Sequence, residues 1–259
     1  MNKNIDFGFV ADIYDYYVNV NFDIPFYKTL CKQYSGSVLE LMCGTGRVSV
    51  PLIDEGVNLT CVDYSQQMLD VFAKKITGKK TMLLCQDICE LDVNGKFDFI
   101  FIPFNSISEI TDKEKRRQAI RRIFEHLDDH GDFLITLYNP AYRLKSVDGN
   151  MKCIGKFDMP ESKTLIVTHY NSYDGSANLV TGTQFYEIYD IKNRLIDKRF
   201  IDISFSIIPK EEIIEMSAEA GFATKEIYGD YSFGEFNENS MFMNFLFTKR
   251  VNQVNRQLK

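Results

Sequence analysis

The segment Glu40-Leu41-Met42-Cys43-Gly44-Thr45-Gly46 closes an apolar run, and a helical pattern begins directly after it. Two glycines at such a point let the chain bend sharply and lie bare against a ligand, because no Cβ intervenes. Asp63 ends the next apolar run, near the offset of about 20 residues at which a carboxylate accepts hydrogen bonds from ribose hydroxyls. Ser65 then caps a helix that carries Met68 and Leu69, and Asp87 follows the third run. Glycines and acids at successive strand ends describe a nucleoside site. Glu40 stands before the glycines, where a diphosphate would meet a repelling charge and a cationic ligand an attracting one. The third glycine of a dinucleotide fingerprint falls on Ser49, so a nicotinamide oxidoreductase is the weaker reading of the same turn.

The elements needed to hold these residues are legible as pattern. Between residues 37 and 140, SVLELM, VNLTCVD, KTMLLCQD, FDFIFIPF and GDFLITLYN alternate with helical stretches after Arg47, Ser65 and Thr111. That rhythm predicts βαβ units and a buried parallel sheet, an α/β fold. In the third helical stretch Ile120, Ile123, Phe124 and Leu127 recur at helical spacing, and the basic run from Lys113 to Arg122 reads as a solvated outer face. From 141 to 208 the period changes to two, in TLIVTHYNSY, NLVTGTQFYEIYD and NRLIDKRFIDISFS, with Asp174-Gly175 and Lys192-Asn193 as turn steps. Pro209 and Gly221 bracket a last helix, and TKEIYG and SMFMNFLFTK predict a closing strand pair. Four segments result: an N-terminal helical cap (1–36), the Rossmann-like core (37–140), an antiparallel β insertion (141–208) and the C-terminal part of the core (209–259).

Composition narrows the function classes. The 259 residues carry 30 basic and 36 acidic side chains, a formal charge of −6, which disfavours a nucleic-acid partner. Six cysteines form no CxxC pair and read as free core thiols, so no metal site is expected. The first residues lack the basic and unbroken apolar regions of an export signal, and the longest apolar run is far short of the ~18 residues that a spanning helix needs. The expectation is a cytoplasmic protein, monomer or homodimer, with no membrane partner.

These motifs together strongly resemble the class I S-adenosylmethionine-dependent methyltransferases. VLELMCGTGRVSVPL is similar to that family's first motif, CVDYSQQMLDVFAKK to its second, CQDICEL to its third, and FDFIFIPFNSISEI to the strand and loop over the bound cofactor. YDYYVNVNFDIPFY resembles the N-terminal cap, HLDDHGDFLITLYNP the entry to the fifth strand and AGFATKEIYGD the sixth strand. The resemblance implies a class I sheet with helices on both faces, the insertion acting as an antiparallel β lid, and S-adenosyl-L-methionine as cofactor with S-adenosyl-L-homocysteine as product. It implies cofactor contacts from Tyr14, Glu40, Leu41, Cys43, Gly44, Gly46, Asp63, Tyr64, Met68, Asp87, Ile88, Pro103, Phe104 and Asn105. Tyr14 would close over the methionine segment at the catalytic centre, and Tyr27, Asn105 and Tyr138 would meet the substrate.

Methyl transfer asks mainly for alignment, because the sulfonium already makes the methyl electrophilic. An amine must also arrive unprotonated, so a base helps. Of three histidines, His126 falls in the amphipathic helix and His130 in a turn, which leaves His169, on its strand with Leu165 and Val167, as the candidate base in the substrate pocket. The acceptor is read as a nitrogen or oxygen of a small molecule. A peptide α-amine N-methyltransferase and a non-catalytic S-adenosylmethionine-binding protein are the alternatives, with an NAD-dependent oxidoreductase more remote.

Overall fold

In the computed structural model, which describes residues 5–250, two short helices, α1 (Ala11–Tyr17) and α2 (Ile24–Cys31), precede the first strand. The ends of the expected cap and C-terminal segment, residues 1–4 and 251–259, lie outside the described residues. The five apolar runs fold as β1 (Val38–Leu41), β2 (Leu59–Asp63), β3 (Met82–Cys85), β4 (Phe97–Ile102) and β5 (Leu127–Tyr138). Between them lie α3 (Ser49–Asp54), α4 (Gln66–Lys75) and α5 (Lys113–His126), and α6 (Pro140–Arg143) follows β5. The insertion forms β6 (Lys152–Met159), β7 (Lys163–Asp174), β8 (Leu179–Tyr189) and β9 (Leu195–Ser206). The chain then runs through α7 (Lys210–Ala220), β10 (Phe222–Tyr228) and β11 (Phe242–Lys249).

Seven strands make one sheet in the order β10-β11-β5-β4-β1-β2-β3. The first five pair in parallel, while β11 runs antiparallel to both β5 and β10. Leu39, Ile100, Phe133 and Phe245 face α5 and α7, and Val38, Phe99, Phe101 and Leu134 face α2, α3 and α4. Helices covering both faces explain why these strands read as continuous apolar runs and not as alternating ones. β3 lies at the edge, which leaves Met82 and Cys85 exposed. The expectation of core thiols therefore holds for Cys31, Cys43, Cys61 and Cys89 but fails for Cys85 and Cys153.

The insertion is a second sheet, β6-β7-β8-β9, antiparallel throughout. Three of its strands are the expected ones. β6 escaped the period-two reading because a bulge between Cys153 and Gly155 breaks the alternation. Leu165, Val167, Val180, Tyr186 and Ile203 on its inner face pack against Ile5, Val10 and Ile13 of the N-terminal segment. The roof is thereby fixed to the cap. Among the described residues no helix is long and apolar enough to cross a membrane.

The basic face of α5 departs from expectation at one position. Asp112 caps the helix by accepting from the Glu114 and Lys115 N–H groups, as an acid at a helix start should. Arg116, however, is buried, donating to Ile110 O, Ser206 Oγ and Glu212 Oε1 and so tying α5 to β9 and α7. Arg116→Ala is expected to lower unfolding free energy by about 2 kcal/mol or more, since charge-assisted hydrogen bonds are lost and Glu212 is left short of a partner. Urea titration checks this, and the exposed Arg121→Ala should stay within about 0.5 kcal/mol of the parent.

Candidate functional site at the ends of the parallel strands

β1 delivers Glu40 and the glycine turn, β2 delivers Asp63, β3 leads to Asp87 and β4 to Pro103, all at one edge of the sheet. This is the edge at which open α/β sheets place ligands. Gly44 and Gly46 adopt φ +56° and +81°, the left-handed region that glycine enters without a Cβ penalty. The Asp63 carboxylate holds the bend, accepting from Gly44 N–H at 2.8 Å and from Ser65 N–H at 2.9 Å. A Cβ on Gly46 would run into the Phe72 ring, so this glycine serves close packing on α4. Glu40 is buried behind the turn, where Ser49 Oγ donates to its Oε2 at 2.6 Å. The residue that spoils the dinucleotide fingerprint thus orients an acid.

Two narrow clefts, of about 30 and 50 Å³, open into a cavity of about 290 Å³. They form one crevice: Glu109 lines all three spaces, Met42 and Tyr64 line both clefts, and Phe7 and Tyr14 line the second cleft and the cavity. Gly44, Asp63 and Met68 lie in the second cleft, Asp87 and Ile88 in the first with Lys115, and Phe104, Asn105 and Tyr138 in the cavity. A larger concavity of about 630 Å³ lies on the outer face of the roof, with Tyr170, Thr183 and Phe200, away from every motif residue.

Several expected site residues are placed differently. Leu41, Cys43 and Gly46 turn no side chain into the crevice, and Pro103 is buried behind it. Tyr27 is fully buried on α2, its ring tilted against that of Phe101 and its hydroxyl 3.2 Å from Thr136 Oγ1. It underpins the loop after β4 and does not reach the cavity. His169 stands on the inner face of the roof opposite Gln184, but Gln184 lines the cavity and His169 does not. Its Nδ1 lies 3.4 Å from Asn171 Nδ2, and burial with Arg143 and Lys152 nearby lowers its pKa. Asn105 uses its amide structurally, accepting from Tyr138 N–H at 3.0 Å and donating to Ser108 Oγ at 2.6 Å.

Residues not singled out from sequence complete the site. Met42, with φ +58°, turns its side chain into both clefts. The loop Phe104-Asn105 is left-handed at both residues (φ 58° and 65°), a conformation worth of order 1–3 kcal/mol of strain each. Phe104 N–H donating to Thr136 Oγ1 at 2.9 Å and Asn105 N–H to Thr136 O at 3.0 Å hold it. The loop ends on Glu109, the acid that faces the whole crevice. Its sequence signal was an acid in the otherwise uncharged stretch SISEI directly after the fourth apolar run.

The cap is clamped over this edge. Arg47 forks onto Asp23 at 2.6 and 2.7 Å and lies 4.5 Å over the Phe104 ring, while Asp15 accepts from Thr45 Oγ1 at 2.6 Å and pairs with Lys75 at 2.5 Å. With Arg47 committed to Asp23, no basic side chain among the described residues lines the second cleft beside the glycine turn. Burial pushes the Glu40 carboxyl up to about 8 despite the Ser49 donation, and pushes Glu109 up to about 8 with help from the Asp63 charge. Asp63 rises as well, its two backbone donors opposing the shift.

Residues 38–131 match the family described as "Methyltransferase domain". The chain is 25% identical over 205 residues, 76% of its length and 77% of the relative's, to "Putative methyltransferase YqeM" of Bacillus subtilis (strain 168). Its fold superposes on an S-adenosylmethionine-dependent methyltransferase from Clostridium acetobutylicum ATCC 824 with a TM-score of 0.79 at 21% identity, covering 95% of this chain and 99% of the other. It also superposes on the sugar N-methyltransferase KedS8 from Streptoalloteichus sp ATCC 53650, with a TM-score of 0.72 at 17% identity over 94% and 92% of the two chains. The class I methyltransferase sheet with a separate antiparallel sheet is the fold of this protein.

The shift at Glu109 sets a pH dependence. A carboxyl near 8 in the fold and near 4.5 when unfolded binds its proton more tightly in the native state, so stability is full below about 4.5 and is lost as pH rises through 8. Glu109→Gln removes that loss. The ligand-free variant should match the parent in melting temperature near pH 5 and exceed it by a few degrees at pH 8.5, as read by calorimetric unfolding.

Proposed function

We propose that this chain, which has the class I methyltransferase fold and a methyltransferase domain at residues 38–131, transfers the methyl group of S-adenosylmethionine to a nitrogen or oxygen of a small molecule by in-line displacement. The observation that carries the reading is one crevice that runs from a glycine turn gripped by Asp63 to a roofed cavity, with acids and no described basic side chain lining the cleft at the turn. That donor set suits a ribose diol and positively charged ammonium and sulfonium groups, and it opposes a diphosphate. KedS8 supports a nitrogen acceptor by its own description.

When bound, the cofactor supplies a methyl carbon whose bond to sulfur breaks, with the electron pair, as a nucleophile's lone pair forms its bond to carbon. The chain's own work is binding and alignment. Asp63, whose two oxygens each retain a lone pair beyond the backbone bonds, would take the ribose hydroxyls, with Tyr64 and Met68 beside the base and Asp87 and the Ile88 N–H at its edge. Glu40 would meet the ammonium end through the turn. Tyr14 stays a neutral phenol, since burial and Glu109 raise its pKa well above the usual range, and closes the cleft above the reacting atoms. Glu109, at the join of cleft and cavity, is placed to accept the proton that an amine must lose. The roof and cap limit where an acceptor can sit, and orientation of this kind is worth up to ~7–11 kcal/mol of barrier. Free thiols and an acidic surface fit a cytoplasmic small-molecule enzyme better than a nucleic-acid modifier.

Calorimetric titration with S-adenosylmethionine, S-adenosylhomocysteine and NAD tests the reading: the two sulfur nucleosides should bind and NAD should not. NAD binding in their place would overturn it. Asp63→Asn is expected to weaken S-adenosylhomocysteine binding by about 1–3 kcal/mol, because charged hydrogen bonds to the diol become neutral; unchanged affinity would remove Asp63 from the nucleoside site.

A further inference from the structure

Sixteen residues line the cavity beneath the roof, and only two of them carry charge, Arg143 at the end of α6 and Glu109 after β4. Neither forms a salt bridge with the other or with any described residue. The Arg143 guanidinium is held by ring faces instead, 4.6 Å from the Phe205 centroid and 5.4 Å from that of Tyr138, and its Nε is buried with no hydrogen-bond partner. A buried N–H of a charged group left without an acceptor is costly, and a planar fork of donors matches a carboxylate or phosphate. Aromatic contact fixes the plane of the fork while leaving its edge for a ligand. Glu109 is the complementary case: no described donor reaches its carboxylate, and the charge of Asp63 opposes its ionisation.

The other polar groups at the cavity are neutral, and some of them are already engaged. Tyr17 shares a hydrogen bond of 2.9 Å with Tyr186, and the Asn105 amide is spent on Tyr138 and Ser108. A cation and an acid held apart in one small chamber, each without a protein partner, call for a ligand with an anion for the one and a basic nitrogen for the other. We propose that the acceptor is a small amine that also bears an anionic group, a carboxylate or a phosphate, with the anion seated on Arg143 and the nitrogen turned toward Glu109. This rests on the methyl-transfer reading and narrows it from nitrogen or oxygen to an amine, and from any small molecule to a zwitterionic one.

The test follows S-adenosylhomocysteine release from S-adenosylmethionine over a panel with two arms. One arm sets α- and β-amino acids beside their carboxamides, and the other sets amino-sugar phosphates beside the unphosphorylated amino sugars. In one arm the anionic members should show kcat/KM at least tenfold above their neutral counterparts. Arg143→Gln should abolish that preference by raising KM with kcat little changed, Arg143→Lys should restore part of it, and both variants should bind S-adenosylhomocysteine like the parent. A parent that binds S-adenosylhomocysteine but favours anionic amines in neither arm, whether every compound reacts or none does, overturns the inference alone. Failure to bind the sulfur nucleoside overturns the methyl-transfer reading and this inference with it.

Discussion

Carboxyl groups shielded from water without an ion-pair partner resist ionisation, and this protein gathers three such groups, Glu40, Asp63 and Glu109, around one bend of the chain. Backbone and hydroxyl donors offset part of that: Gly44 and Ser65 donate to Asp63, and Ser49 donates to Glu40. Nothing among the described residues does the same for Glu109. The two basic groups at the bend are bound to other acids, Arg47 to Asp23 and Lys75 to Asp15, so neither pairs with these three, and a cationic ligand can. A site arranged this way discriminates by charge before shape, and it explains why the same glycine turn that serves diphosphates elsewhere is unsuited to them here.

The rest of the architecture maintains that condition. The parallel strands bring their C-terminal ends to one edge because both faces of the sheet are buried under helices. The cap is tied to the turn through Asp15, Thr45 and Lys75 and to the loop after β4 through Arg47 and Phe104. That loop carries two non-glycine residues in left-handed conformation, and Thr136, supported from behind by Tyr27, over-determines it. The roof lines one side of the cavity and is fixed to the cap by a continuous apolar contact. Each of these features lowers the local polarity and so strengthens the electrostatic preference at the bend.

Much of this was legible in the chain. Apolar runs ending in Glu40, Asp63 and Asp87 gave the parallel strands and their order of function, and the period-two stretches gave three of four roof strands. What escaped depends on contacts between distant segments. Tyr27 belongs to the segment that resembles a cap, yet its side chain points into the core because α2 packs against β4. His169 has the chemistry of a base, but its place on β7 puts it beside two cations and outside the cavity. Arg116 looked like one charge in a solvated row until α7 and β9 closed over it. Glu109 and Arg143 lie on short elements with no periodicity, and their meaning appears only when the loop after β4 and the roof converge on one space.

The central claim, that partly protonated acids in the crevice await a cationic ligand, is tested most directly by proton linkage. Titrating S-adenosylmethionine near pH 7 in buffers of differing ionisation enthalpy should reveal net proton release on binding, larger than the release on binding S-adenosylhomocysteine, which lacks the sulfonium charge. Binding with no proton release, or with uptake, would contradict the account.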